Sequence, residues 1–196
     1  MLRAGIRILK KHGVSGLSVR DVVKEAGVNL GMFVYHFGTK EKFILRTLNE
    51  IYLGFLSDLR ELQDETSNLE SVLFQIAIFS RENRGILTAV LSDVLSSDKV
   101  VTLFLRKNFT RHLALLEDSL RAHLKQKKIK IQNTHHAVRF LIGAVGVPNI
   151  LLEVYNRSSR TKESPESDDE LQRRTKAAII GLEAAFCETL KCAKQD

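Results

Sequence analysis

Leucine and phenylalanine recur every three or four residues along the charged stretch 98–126, at Leu105, Phe109, Leu113, Leu116, Leu120 and Leu124. Only an α-helix gathers positions so spaced into one stripe, because its 3.6-residue turn returns them to a single face. The same period recurs elsewhere, while alternating strand patterns and the Asn-Gly or Asp-Gly pairs of tight hairpins are absent from the sequence. The expected fold class is therefore all-α, with helices at 2–12, 18–26, 29–37, 39–63, 68–81, 84–95, 98–126, 133–157 and 169–193. Local punctuation supports the boundaries. Gly13, Gly27 and Gly38 suit helix ends, and Ser18, Asn29 and Thr39 suit N-caps.

Two segments differ from ordinary surface helices. Residues 137–155 (AVRFLIGAVGVPNILLEVY) are apolar nearly all round, and residues 177–187 (AAIIGLEAAFC) mix small side chains with Ile and Phe. Such faces need burial, either inside the chain or against a second subunit. Pro148 is expected to kink its helix or to free a carbonyl. The polar run 157–169 (RSSRTKESPESDD) reads as an exposed loop.

Charge divides the chain unevenly. Residues 1–49 hold nine Lys or Arg against three Asp or Glu, and the remainder holds 21 against 20. A small basic module on a nearly neutral body points to a polyanion partner for the module alone, without separating DNA from RNA or an acidic membrane. The two longest stretches free of Asp, Glu, Lys and Arg, 26–39 and 140–152, are 14 and 13 residues, too short to span a bilayer, so no membrane partner is expected. The basic N-terminus lacks a secretory apolar core. Cys187 and Cys192, five residues apart, would point away from each other on a helix, which argues against a disulfide or a shared metal and for a reducing, cytoplasmic location. His135 and His136 face different directions on a helix, while His112 and His123 are too far apart to share an ion, so no metal site is expected.

Function concentrates in residues 13–43, GVSGLSVRDVVKEAGVNLGMFVYHFGTKEKF. Two short helices flank Gly27-Val28-Asn29, a turn that permits a sharp reversal, and Val22, Val23, Ala26, Val28 and Phe33 can fill the core between them. This is a helix-turn-helix by physical criteria, with the N-terminal end of its second helix offered to a major groove. The segment S-V-R-D-V-V-K-E-A-G-V-N-L-G-M-F-V-Y-H-F-G-T-K-E-K-F also resembles, without a gap, the pattern T-x-R-D-I-A-x-x-A-G-V-S-x-G-T-L-Y-x-H-F-x-S-K-E-E-L of the tetracycline-repressor (TetR) family of bacterial regulators.

The resemblance implies a DNA-binding domain at 1–46 and an effector-binding and dimerisation domain at 47–196. It implies that Arg20 contacts a phosphate or base edge and that Asn29, Leu30, Gly31 and Met32 form the leading end of the recognition helix. Tyr35 and His36 would lie along the phosphate backbone, and Lys40 would meet a phosphate at the start of the fourth helix. Helix N-terminal amides favour phosphate, which gives these positions a physical reason. The sequence departs from the pattern at Met32, where a small hydroxyl residue is usual, and at Val34, where tyrosine is common. With Leu30 also apolar, base reading by Leu30, Met32 and Val34 would rely less on hydrogen bonds and more on thymine methyls, shape and positioning, and weaker sequence discrimination is expected than from a more polar helix. Family members usually carry a basic extension ahead of the first helix, so phosphate contacts of such an arm are not expected from this sequence.

The resulting expectation is a homodimeric, sequence-specific regulator in the bacterial cytoplasm at the nucleoid. Its partners would be a double-stranded operator and a small apolar or amphipathic effector, with no cofactor. The dimer would form through 133–157 and 169–193. Phe74, Ile78, Phe104, Asn108 and Phe140 are the expected effector lining, with plain core packing as the other reading of each. The fourth helix, shared by both modules, is the expected transmission element. An architectural dimer with little sequence preference and no effector is the alternative, and an all-α enzyme or carrier comes third. No phosphate loop, G-x-S-x-G elbow or H-E-x-x-H motif invites catalysis.

Overall fold

The structure, a computed structural model, describes residues 1–14, 16–66, 68–97 and 99–186. Among them are ten helices: α1 (Leu2–His12), α2 (Val19–Ala26), α3 (Leu30–Phe37), α4 (Lys40–Thr66), α5 (Leu69–Glu82), α6 (Arg84–Leu95), α7 (Lys99–Lys127), α8 (Thr134–Val145), α9 (Val147–Ser158) and α10 (Asp168–Phe186). The fold is all-α. The C-terminal end expected for the last helix, together with Cys187 and Cys192, lies outside the described residues, as does the side chain of Phe109.

Local chemistry accounts for the boundaries. Gly27 ends α2 in the left-handed region at φ 66°, where a Cβ would be strained. Two residues later the Asn29 side chain accepts the Met32 N–H at 2.9 Å and starts α3. Ser18 occupies the N-cap position of α2, but its hydroxyl makes no capping bond. At α10, Ser167 and Glu170 bond reciprocally to each other's backbone N–H, at 3.4 and 2.7 Å. This is a capping box.

The helix expected over 133–157 is two helices. α8 and α9 meet at Gly146 with a bend of 40°. Pro148 lies in the first turn of α9, where its missing N–H costs nothing. Carbonyls at the break find partners elsewhere: Ser80 Oγ donates to the Gly146 carbonyl at 2.7 Å, and an Arg174 Nη donates to that of Val145 at 3.0 Å. Among the described residues no single helix is long and apolar enough to cross a membrane.

Two apolar clusters hold the chain together. The larger joins α4, α5, α7, α8 and α10 through buried residues such as Phe55, Leu73, Leu116, Leu120, Leu141 and Leu182. The smaller centres on Leu9, Val22, Phe33 and Phe43 of α1–α4, and it continues into Ile86 and Val90 of α6 and Val101 of α7. The N-terminal helices thus share a core with the body and are not joined to it by α4 alone.

Candidate nucleic-acid interface and ligand cavity

α3 is short, and one edge is anchored. Phe33 is buried and packs at 5.4 Å from the Phe37 ring and 5.1 Å from the Phe43 ring, with Phe37 and Phe43 edge-to-face at 4.8 Å. Such aromatic pairs add about 0.5–1.5 kcal/mol each beyond area burial, so the orientation of α3 against α4 is well determined. With Phe33 inward, the opposite face is thrust outward. Leu30, Met32 and Val34 are 54%, 44% and 54% exposed, and Tyr35 is 86% exposed. These are large apolar surfaces to leave in water on so small a helix.

Arg20, Asn29, Gly31 and His36 are also exposed, and Lys40 is half-buried at the start of α4. A Cβ added at Gly31 would meet nothing closer than the Asn29 side-chain oxygen at 3.2 Å, so the fold itself makes little demand for glycine there. Sequence reasoning missed two cations. Arg3 of α1 and Arg46 of α4 border one cleft with His36 and Phe37, and the Arg46 guanidinium lies 5.8 Å from the Phe37 ring centre. Neither belongs to the helix-turn-helix motif; only the packing of α1 and α4 brings them beside α3.

The body holds a partly open cavity of about 200 Å³ between α4, α5, α6, α7 and the α8–α9 junction. Its wall is aliphatic and aromatic, and no charged side chain lines it. Phe104 and Asn108 are part of the lining, as expected. Phe74, Ile78 and Phe140 are not. On α5 the cavity takes Ile76, Phe79 and Ser80, whereas Phe74 and Ile78 pack against the larger core from other sides of the helix. Phe140 faces α10, its ring lying 3.5 Å from where a Cβ on Gly181 would sit.

Four polar side chains reach the cavity: Tyr52, Ser80, Asn108 and His112. The Tyr52 hydroxyl donates to the Asn108 carbonyl at 2.5 Å, accepts the His112 backbone N–H at 3.3 Å, and lies 3.0 Å from His112 Nδ1. Its single proton is committed to the carbonyl, which leaves Nδ1 to carry a proton and donate. Burial pushes the His112 imidazole down to about 4, so the ring is neutral near pH 7, and burial also raises the Tyr52 phenol. The Asn108 amide donates to the Phe104 carbonyl at 3.0 Å.

α6 stands between this cavity and the N-terminal module. Ile86, Leu87, Val90 and Leu91 line the cavity. On another side of the helix, a Cβ added to Gly85 would lie 2.9 Å from the Lys10 carbonyl of α1, and one added to Gly13 would lie 2.9 Å from the Ala89 Cβ. Arg84 and Arg157 both pair with Glu153 at 3.0 Å, tying α6 to α9. Across the body, Leu151 of α9 and Ile180 of α10 are 61% and 65% exposed, and Phe140, Val147 and Val154 are exposed as well. Among the described residues, no group of three or more His, Cys, Asp or Glu is arranged to hold a metal.

Residues 1–47 match the family model for bacterial regulatory proteins of the tetR family. The transcriptional repressor NicS of Pseudomonas putida is 28% identical over 79 residues, 40% of this chain and 37% of NicS. The chain spans 37% and 59% of the length of the curated relatives it matches. Among solved structures, a TetR transcription regulator from Haloarcula marismortui superposes with a TM-score of 0.72 at 17% identity, covering 95% of this chain and 96% of that one. A Saccharomonospora viridis protein solved in complex with choline superposes at 0.70 with 14% identity, covering 95% of each chain. Residues 1–47 therefore match the N-terminal domain of tetR-family bacterial regulatory proteins, and over nearly its whole length the chain shares the all-α fold of these solved structures.

Proposed function

We propose that the chain is a homodimeric, sequence-specific DNA-binding repressor released by a small apolar or amphipathic effector held in the cavity. The observation that carries this reading is the path α3–α4–α6. A recognition helix with an exposed apolar face is braced on α4, and α4 and α6 both line the cavity and both pack into the core of the N-terminal module. Arg20, Asn29, Leu30, Gly31, Met32, Val34, Tyr35, His36 and Lys40 form the DNA-facing set, and Arg3 and Arg46 extend its cationic margin. Leu30, Met32 and Val34 read thymine methyls and groove shape, while the cations and the helix N-termini hold phosphates.

A second copy covers the exposed apolar face of Phe140, Leu151 and Ile180, using α8, α9 and α10. Two-fold symmetry then sets two recognition helices on successive major-groove faces. Effector release requires the ligand to prefer the DNA-incompetent arrangement. Displacement of α6 supplies that preference, because its Gly85–Ala89 edge has no slack against α1.

Selection of random duplexes on the purified protein tests the reading. Enrichment of a palindrome with half-sites about one helical turn apart is expected. Salt-sensitive binding without an enriched motif would instead establish the architectural alternative, which the apolar recognition face keeps in view.

A further inference from the structure

We infer that the cavity selects an uncharged, hydrocarbon-like ligand of about eight to ten heavy atoms and rejects carboxylate and ammonium analogues of the same size. This rests on the reading of the cavity as an effector site and names the chemistry of that site. The size follows from volume. An engineered apolar cavity of about 150 Å³ holds benzene, and the cavity here is about 200 Å³.

The charge selectivity follows from what the wall offers. No lysine, arginine, aspartate or glutamate lines the cavity. Three of its polar side chains already donate a hydrogen within the fold: Tyr52 to the Asn108 carbonyl, Ser80 to the Gly146 carbonyl, and the Asn108 amide to the Phe104 carbonyl. His112, half-buried and neutral near pH 7, adds no countercharge. An ion entering this space gives up its hydration and receives no opposite charge in return. A neutral ring or branched chain loses only apolar hydration, which favours entry, and meets Phe55, Phe79 and Phe104 side chains.

The test is isothermal titration calorimetry of the full chain at neutral pH with ethylbenzene, benzoate and phenethylammonium, run beside DNA retention. Ethylbenzene should bind at least on the order of 100-fold more tightly than either ion. Its heat-capacity change should be negative, as burial of apolar surface requires. Val90→Phe should lower ethylbenzene affinity by roughly tenfold or more by filling the cavity. If that variant does not fold, Leu91→Trp at the more exposed rim carries the same expectation. Binding of benzoate or phenethylammonium within about tenfold of ethylbenzene would overturn the inference, as would no binding by any of the three. Ethylbenzene binding that leaves DNA retention unchanged upholds the ligand class and overturns the effector reading on which it rests.

Discussion

Acidification should destabilise this protein through His112 in a window that the buried ring defines. The imidazole titrates at about 6.5 in an unfolded chain and at about 4 in the folded one, because burial opposes its charged form. Between those values the unfolded state binds the proton and the native state does not, so stability rises with pH and is lost as pH falls. The displacement corresponds to about 3 kcal/mol by pH 4, at about 1.4 kcal/mol per pH unit. Burial of the ring in contact with Tyr52 and Phe55, at 5.8 and 5.9 Å between centroids, justifies using most of that figure. The assay is urea unfolding at several pH values on wild type and on His112→Phe, which keeps an aromatic ring but cannot titrate. Carboxylates elsewhere contribute equally to both proteins and cancel in the difference. The wild-type curve should fall relative to the variant by about 3 kcal/mol between neutral pH and pH 4. Parallel curves would refute the claim that His112 is held neutral by burial.

Three further perturbations address the DNA and subunit surfaces and their coupling. Gly31→Ala should change stability by less than about 1 kcal/mol, since only the Asn29 side chain must adjust; if backbone approaches DNA here, affinity for the selected duplex falls about tenfold in an anisotropy titration. Ile180→Glu places a charge on the exposed apolar face, and sedimentation should show a monomer with duplex affinity reduced by roughly 100-fold or more. Gly85→Val forces α6 and α1 apart at a contact of 2.9 Å. It should weaken duplex binding in the absence of ligand while leaving ethylbenzene binding as tight as in wild type or tighter, because the ligand prefers the arrangement that the variant imposes.

The recognition module was legible because its signals are local. Gly27 adopts the left-handed conformation that the turn demands, and Asn29 caps α3 within one turn of itself. Phe33 was readable as core from its phase alone. The cavity was less legible. Helical periodicity distinguishes a buried face from a wet one but does not say which part of the buried face borders a void. Phe74 and Ile78 are as apolar as Phe79, yet only Phe79 lies at the cavity, because α5 is packed on several sides. Tyr52 and His112 are 60 residues apart, and their pairing exists only once α4 and α7 are laid together. The break at Gly146 was concealed for a similar reason. Pro148 suits a first turn as well as a kink, and the groups that satisfy the break, Ser80 and Arg174, come from α5 and α10. Arg3 and Arg46 likewise come beside α3, and so join the proposed DNA-facing set, through tertiary packing rather than motif.

The central claim is that α3 reads sequence with an unusually apolar face. Its most direct test compares affinity for the duplex obtained by selection with affinity for a scrambled duplex of equal length, across a series of salt concentrations. The account predicts that the selected duplex binds roughly a thousandfold or more tightly at physiological salt. It also predicts that both affinities fall steeply with salt, as counterions are released from contacted phosphates. Equal affinity for the two duplexes at every salt concentration would contradict it.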